Sequence, residues 1–482
     1  MDVPTTPGPV TTVAPPPPPP LPSANLHPYN GSHHGISLLH GWLPLTIELV
    51  ALALLAVAIV RFTPRWWLIR VPICLALGVA AAVASWAYMN NEGLASDPAP
   101  LLLWVCIGAT AVALAVAVAG WPGARWWRRA AAIVAVPLAA MSTAVVLDQW
   151  VGYYPTAQAA WNALTAGPLP HQTDLDALPG MRNTNVTTGV VVPVSIPDDA
   201  SGFKHRTEYV YLPPAWFAGD TPPALPAVMM VGGEFNTPGD WLRSGQIMPE
   251  IDRFSAANGG RAPILVFVDS SGSFNNDTEC VNGPRGAAAD HLTKDVVPYV
   301  ESTFGAQRDP ANWAVVGWSM GGTCAVDLTV MHPELFHTFV DIAGDLGPTA
   351  GTKEQTVQRL YGGDPARWDR FDPLTVMAGH GPYPGVAGLF DDLTPPQRSG
   401  ARGDHRPQTD DDAAGMHGRD GVADTGEVGA AEKLCAQGRS VGIDCTIHTT
   451  RGGHTWQFAA ASFTSSFPWV SARVGLPAQA NG

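Results

Sequence analysis

The chain has 482 residues, 46% of them hydrophobic, and a formal net charge of −14 at pH 7, with a mean hydropathy of +0.07. That length exceeds one compact domain, and the acidic balance offers no basic face for a nucleic-acid partner. The averages conceal a split, because the first third is apolar and nearly free of acids while most of the carboxylates lie beyond residue 170.

Residues 1–37 hold the run Pro15 to Pro20 and read as a disordered or polyproline-like tail. No basic segment precedes the first apolar run, as a cleavable signal peptide would require. Four segments with enough uncharged, apolar sequence to span follow, near 42–60, 68–89, 100–120 and 130–148. Each is long enough to cross a bilayer, which takes about 20 residues, and none shows the polar face of a soluble core helix. Residues 38–148 are therefore expected to form a four-helix transmembrane anchor. Arg61, Arg65 and Arg70 lie between the first two spans, and Arg125, Arg128 and Arg129 between the last two. The loop holding Glu92 and Asp97 has no Lys or Arg. The positive-inside rule places both arginine loops in the cytoplasm, and the N-terminus and everything after the fourth span outside. Glu48, the carboxylate within a span, reads as snorkelling to the outer interface.

A linker at 149–182 leads into a domain at 183–478, where apolar runs alternate with helical patterns. The runs are 187–196, 206–213, 225–232, 262–269, 312–317, 337–343, 385–390 and 443–449. Strands alternating with helices imply an α/β domain with a mostly parallel central sheet covered by helices on both faces, and the first pair suits an antiparallel hairpin. An insertion rich in Asp, Gly and Arg occupies about 392–423. Its Asp410-Asp411-Asp412 reads as solvated loop, and no histidine or second cysteine stands at metal-ligand spacing. Neither a metal nor a cofactor is expected.

The chemistry centres on Gly317-Trp318-Ser319-Met320-Gly321. A β-run enters this Gly-x-Ser-x-Gly turn and a helix-forming stretch leaves it, the setting of a nucleophile elbow. Ser319 is the expected nucleophile. His454, in Gly452-Gly453-His454-Thr455-Trp456 after the last strand, is the expected base. Asp424, closing the insertion, is the preferred acid, with Asp391 and Asp392 as alternatives. The backbone N–H of Met320 and that of Glu234 or Phe235, after the strand 225–232, are the expected oxyanion donors. Cys280, Cys324, Cys435 and Cys445 make an even set in an oxidising compartment. Three pairings are open; Cys435 with Cys445 is the closest in sequence, which leaves Cys280 with Cys324. The segment 352–384, with Trp368, Phe371 and Tyr383, suits either a cap over the site or core packing.

With these residues in hand, the outer domain resembles the putative-esterase branch of the α/β-hydrolases, which includes esterase D-type enzymes and mycobacterial mycolyltransferases. The resemblance spans roughly 185–475. It is carried by Tyr209-Val210-Tyr211-Leu212-Pro213-Pro214, the stretch Leu292 to Phe304, Gly317 to Gly322, His332-Pro333-Glu334-Leu335-Phe336 and Gly452 to Trp456. It implies the α/β-hydrolase fold, and hydrolysis of carboxylic esters or acyl transfer to a sugar or lipid hydroxyl, through an acyl-serine in both cases. Members with membrane-spanning N-termini are similar to actinobacterial envelope proteins, which suits a chain rich in Ala, Gly and Pro and poor in Lys. The long insertion before Asp424 departs from the family pattern. A catalytically silent envelope scaffold on the same fold is the alternative of another class.

Overall fold

The computed structural model describes residues 35–60, 63–92, 99–165, 167–394, 426–451 and 453–476. The tail up to residue 34, the insertion beyond Thr394 and Asp424 lie outside the described residues. Among the described residues, four helices are long and apolar enough to cross a membrane: α1 (Trp42–Ile59), α2 (Trp66–Glu92, opening with a π-helical turn), α3 (Leu101–Gly120) and α4 (Trp126–Val151). Many of their large apolar side chains point outward, as Leu52, Val79, Leu101 and Val118 do, an arrangement favourable in lipid and unfavourable in water. Between α2 and α3 the backbones meet at small residues; a Cβ on Gly78 would lie 2.8 Å from the Gly108 carbonyl oxygen.

At the arginine-bearing end, Trp66 Nε1 donates to the Ile59 carbonyl (2.6 Å) and Arg70 to that of Ala119 (2.9 Å). The opposite end of α2 meets the α/β domain. There Arg285 donates to the Glu92 carbonyl (2.7 Å), Arg359 to that of Asn90 (3.1 Å) and Asn275 to the Tyr88 hydroxyl (2.9 Å).

Every apolar run predicted as a strand joins one eight-stranded sheet. The strands are β1 (Val190–Val194), β2 (Glu208–Leu212), β3 (Ala227–Val231), β4 (Ile264–Val268), β5 (Trp313–Trp318), β6 (Thr338–Ile342), β7 (Ala387–Thr394) and β8 (Asp444–Arg451). Their order is β1-β2-β4-β3-β5-β6-β7-β8. The pairs β1–β2 and β2–β4 are antiparallel, and the rest are parallel. Both faces are buried, so successive residues feed two separate cores. Met229, Val315 and Phe390 pack on one face with α5 (Met320–Met331) and α6 (Gly426–Ser440). Val228, Val316 and Leu389 pack on the other with α7 (Trp456–Arg473). This is the α/β-hydrolase architecture.

β7 runs four residues past the expected end at 390, which puts Asp391 and Asp392 inside the strand rather than after it. Aspartate is disfavoured in strands, but pairing with β8 continues through Asp391↔His448, Asp392↔Thr449 and Thr394↔Arg451. Cys280 is bonded to Cys324 on α5, and Cys435 on α6 to Cys445 on β8, both with Cα atoms 5.6 Å apart. The aromatics of 352–384 serve packing. Phe371 joins Tyr361 and Leu360 over Val281 and Ala289, and the buried Tyr383 hydroxyl donates to the Val330 carbonyl (2.9 Å).

Candidate active site

Ser319 stands between β5 and α5 with φ 58° and ψ −124°. A positive φ strains a residue with a Cβ, so the surroundings must impose it. They do so from both sides: the Ser319 N–H donates to the Ile342 carbonyl (2.8 Å), and its own carbonyl accepts from Gly322 N–H (2.7 Å). The flanking glycines are sterically required. A Cβ on Gly317 would overlap the Gly321 carbonyl, and one on Gly321 would lie 2.7 Å from that of Gly232.

His454 lies in the turn after β8, directly before Thr455, whose side chain caps α7. Its Nε2 is 2.9 Å from Ser319 Oγ, and its ring lies against Trp318 at a centroid distance of 4.2 Å. Serine and histidine open into a cavity of about 80 Å³. Glu234 and Phe235 form part of its wall, and so do Trp150 and Val151 at the end of α4.

Met320 begins α5, so its N–H has no intrahelical partner and sits at the positive end of the helix. The facing loop is tightly built. Phe235 adopts φ 65°, Gly233 N–H donates to Asn236 Oδ1 (2.7 Å), and a Cβ on Gly233 would come 3.0 Å from Ser319 Cβ. Arg206 braces the loop from behind, donating from Nη2 to the Asn236 carbonyl (2.8 Å) and from Nε and Nη2 to Asp269 (2.9 and 2.6 Å). Burial pushes the Asp269 carboxyl up, yet the Arg206 bonds outweigh it and hold the group below its ordinary range. Asn236 and Arg206 carry no local motif, and sequence reading passed over both.

The ligand-type atoms of His205, Glu208 and His291 lie within 4.8 Å of one another, a cluster that spacing along the chain did not reveal. Each is already engaged. Both His205 ring nitrogens face carbonyl oxygens, of Arg206 (2.9 Å) and Ile196 (2.8 Å). His291 lies between Asp295 (3.3 Å) and Glu208 (3.2 Å). Burial opposes charge on His291, but the two carboxylates outweigh it and raise its pKa. The two carboxylates that flank His291 are acceptors and suit a protonated ring there.

Of the three candidate acids, Asp391 turns toward α7, accepting from Ser462 there and from Thr450 on β8 (3.3 Å). Burial raises its pKa, partly offset by the Ser462 bond. Asp392, the next residue on the strand, is buried on the opposite side of the pleat. Asp424 is outside the described residues. The structure therefore gathers Ser319, His454, Met320, Glu234 and Phe235 at one place, and directs Asp391 elsewhere.

Residues 203–467 match the family model described as "Putative esterase". The chain belongs to this esterase family. A relative in Corynebacterium glutamicum, an uncharacterized protein, is 29% identical over 350 residues, covering 70% of this esterase and 75% of the relative. That is more of the chain than the family region occupies, so the likeness reaches beyond it. Among solved structures, a ferulic acid esterase superposes with a TM-score of 0.44 at 16% identity, over 59% of this chain and 99% of its own. An S-formylglutathione hydrolase from Agrobacterium tumefaciens gives 0.45 at 17% identity, over 60% and 95%. MPT51 of Mycobacterium tuberculosis gives 0.38 at 18% identity, over 59% and 97%.

Proposed function

We propose that this esterase is anchored in the membrane and cleaves carboxylic esters on its outer side through an acyl-serine intermediate. The observation that carries the reading is the 2.9 Å approach of His454 Nε2 to Ser319 Oγ at a strained strand-to-helix turn. Ser319 O–H donates to Nε2. As Oγ attacks the ester carbonyl carbon, its proton passes to Nε2, and the carbonyl oxygen takes the electron pair beside the N–H of Met320 and that of Glu234 or Phe235. Collapse breaks the bond to the alcohol, which leaves with the proton from Nε2. Water then attacks the acyl carbon, gives its proton to Nε2, and the carboxylic acid departs as Ser319 recovers the proton. Asp424 and Asp392 both stand in chain order to hold the imidazole from its Nδ1–H side. The arginine-bearing ends of the helices lie opposite the α/β domain, which by the positive-inside rule supports a site outside the cytoplasm.

A second reading keeps the acyl-serine and replaces water by a sugar or lipid hydroxyl. The aromatic walls of the cavity, Trp150, Trp318, Trp456 and Phe235, favour it, since such surfaces suit a sugar face or acyl chain and exclude water.

The test uses the full chain in detergent micelles, with a fluorophosphonate label and p-nitrophenyl esters. Labelling and turnover are expected in the wild type, and Ser319→Ala should lose both, with turnover down by roughly 10⁴ or more. Folded wild type that neither labels nor turns over would refute the serine mechanism. Labelling with turnover only after an alcohol acceptor is added would identify the transferase. A cellular role that survives Ser319→Ala would leave only the silent scaffold.

A further inference from the structure

The end of the fourth membrane helix reaches the cavity at three successive points. Trp150 and Val151, the last residues of α4, form part of the wall that holds Ser319 and His454. Gly152 caps the helix at φ 68°, and a Cβ there would stand 2.6 Å from Thr455 Cβ, next in sequence to His454. Tyr153 continues into the loop opposite. Its hydroxyl donates to Asp240 Oδ2 and accepts from Asn236 Nδ2 (3.3 Å). Asn236 in turn holds the Gly233 N–H (2.7 Å), and Asp240 accepts from Thr237 N–H (2.5 Å). Burial, with the Asp240 charge beside it, pushes the Tyr153 phenol well up and keeps it a donor.

We propose that the anchor completes the active site: Trp150 and Val151 select an ester-linked amphiphile held in the outer leaflet, and Tyr153 is a positioning residue for the oxyanion loop. The inference rests on the esterase reading above. Its physical basis is reach and placement. α4 has 26 residues, about 39 Å at 1.5 Å per residue, against a hydrocarbon core of about 30 Å. Its last turn therefore emerges at headgroup level, and the cavity with it. Trp150 and Val151 line the cavity beside Ser319 and His454, so an ester whose chain extends past the reacting group on that side passes over a rim formed by this helix. A helix acting only as a tether would need no contact with the histidine turn or the oxyanion loop.

The test reconstitutes the full chain into phosphatidylcholine vesicles and compares p-nitrophenyl palmitate in the bilayer with p-nitrophenyl acetate in water. Trp150→Ala should lower the palmitate-to-acetate ratio of kcat/KM at least tenfold, and Trp150→Phe should recover most of it. Tyr153→Phe should lower kcat about tenfold on both esters with KM within twofold, because the oxyanion loop serves any ester. Trp161→Ala, an exposed tryptophan beyond the contact, should change neither. Trp150→Ala and Tyr153→Phe enzymes with wild-type kinetics on both esters would overturn the proposal. Failure of wild-type Ser319 to take a fluorophosphonate would instead sink the esterase reading beneath it.

Discussion

In the four apolar helices many bulky side chains face outward, and α2 and α3 meet through Gly78 and Gly108. In the α/β domain the bulky side chains face inward, with Trp456, Phe463 and Phe467 buried between α7 and the sheet. On the proposed membrane location, lipid gives apolar groups no reason to associate, so the helices would depend on close backbone packing, whereas the domain is driven together by release of water. A glycine and a phenylalanine therefore exchange importance between the two regions. Residues 150–153 belong to both, so the last turn of a long apolar helix carries contacts to the turn that holds His454.

The largest effects are expected where the α/β half concentrates its chemistry. Of Asp424→Asn and Asp392→Asn, the one that removes the histidine's partner should lower kcat by roughly 10²–10⁴, measured on folded full-length protein. Asp391→Asn should keep turnover within a few-fold, because its carboxylate is taken up by Ser462 and Thr450. A collapse of turnover in Asp391→Asn, with the other two unaffected, would reverse this assignment.

Two glycines with similar steric limits then separate the regions. Gly321→Ala places a Cβ 2.7 Å from the Gly232 carbonyl oxygen, and Gly78→Ala one 2.8 Å from that of Gly108. The first should lower turnover at least about 100-fold, since a displacement near 1 Å at the reacting atoms costs that much. The second should lower thermal stability by several degrees and leave turnover per folded molecule intact. Equal effects on turnover would mean that the anchor's internal packing reaches the site as well.

Side-chain truncation should show the inverse pattern. Phe463→Ala, fully buried against α7's neighbours, should cost about 3–5 kcal/mol in chemical denaturation. Leu52→Ala, on the outward face of α1, should stay within about 0.5 kcal/mol. A large loss from Leu52→Ala would show that this face is covered by protein rather than lipid.

Much of this arrangement is legible in the sequence because it is written in local patterns. Apolar runs located all eight strands, and Gly317 to Gly321 located the elbow, since only glycine fits where strand and helix touch. Hydropathy ended the fourth span near residue 148, at a charged Asp148, but the helix runs on to Val151 because nothing stops it before Gly152 adopts the left-handed cap. Three residues of difference decide whether the anchor is separate from the site. The braces Arg206–Asn236 and Tyr153–Asn236 join residues far apart in the chain, and no periodicity or motif encodes such pairs. β7 was cut short for a related reason: two aspartates look like a strand's end unless the partner strand is known.

A modest effect is expected in the polar interior of the α/β domain, where the contrast with the apolar helices is least complete. Asp327 on α5 is buried, and neither of its carboxylate oxygens has a hydrogen-bond partner among the described residues. Glu279 is buried beside Cys280, whose bond to Cys324 clamps it near α5. Burial raises both carboxyls well above their ordinary values of 3.8 and 4.5; the neighbouring Asp372 and Asp341 add to the shift of Asp327, and Asp277 and Asp345 to that of Glu279. The folded chain thus keeps protons that the unfolded chain releases. The stability these groups contribute is complete below the ordinary carboxyl range and is lost as pH rises toward their folded values. Tm should therefore fall as pH rises above the ordinary carboxyl range through this pair. Asp327→Asn, which cannot ionise, should flatten that decline and raise Tm at neutral pH by a few degrees while leaving the acidic end unchanged. An unaltered slope would mean that Asp327 is charged in the folded chain and that a partner outside the described residues compensates it.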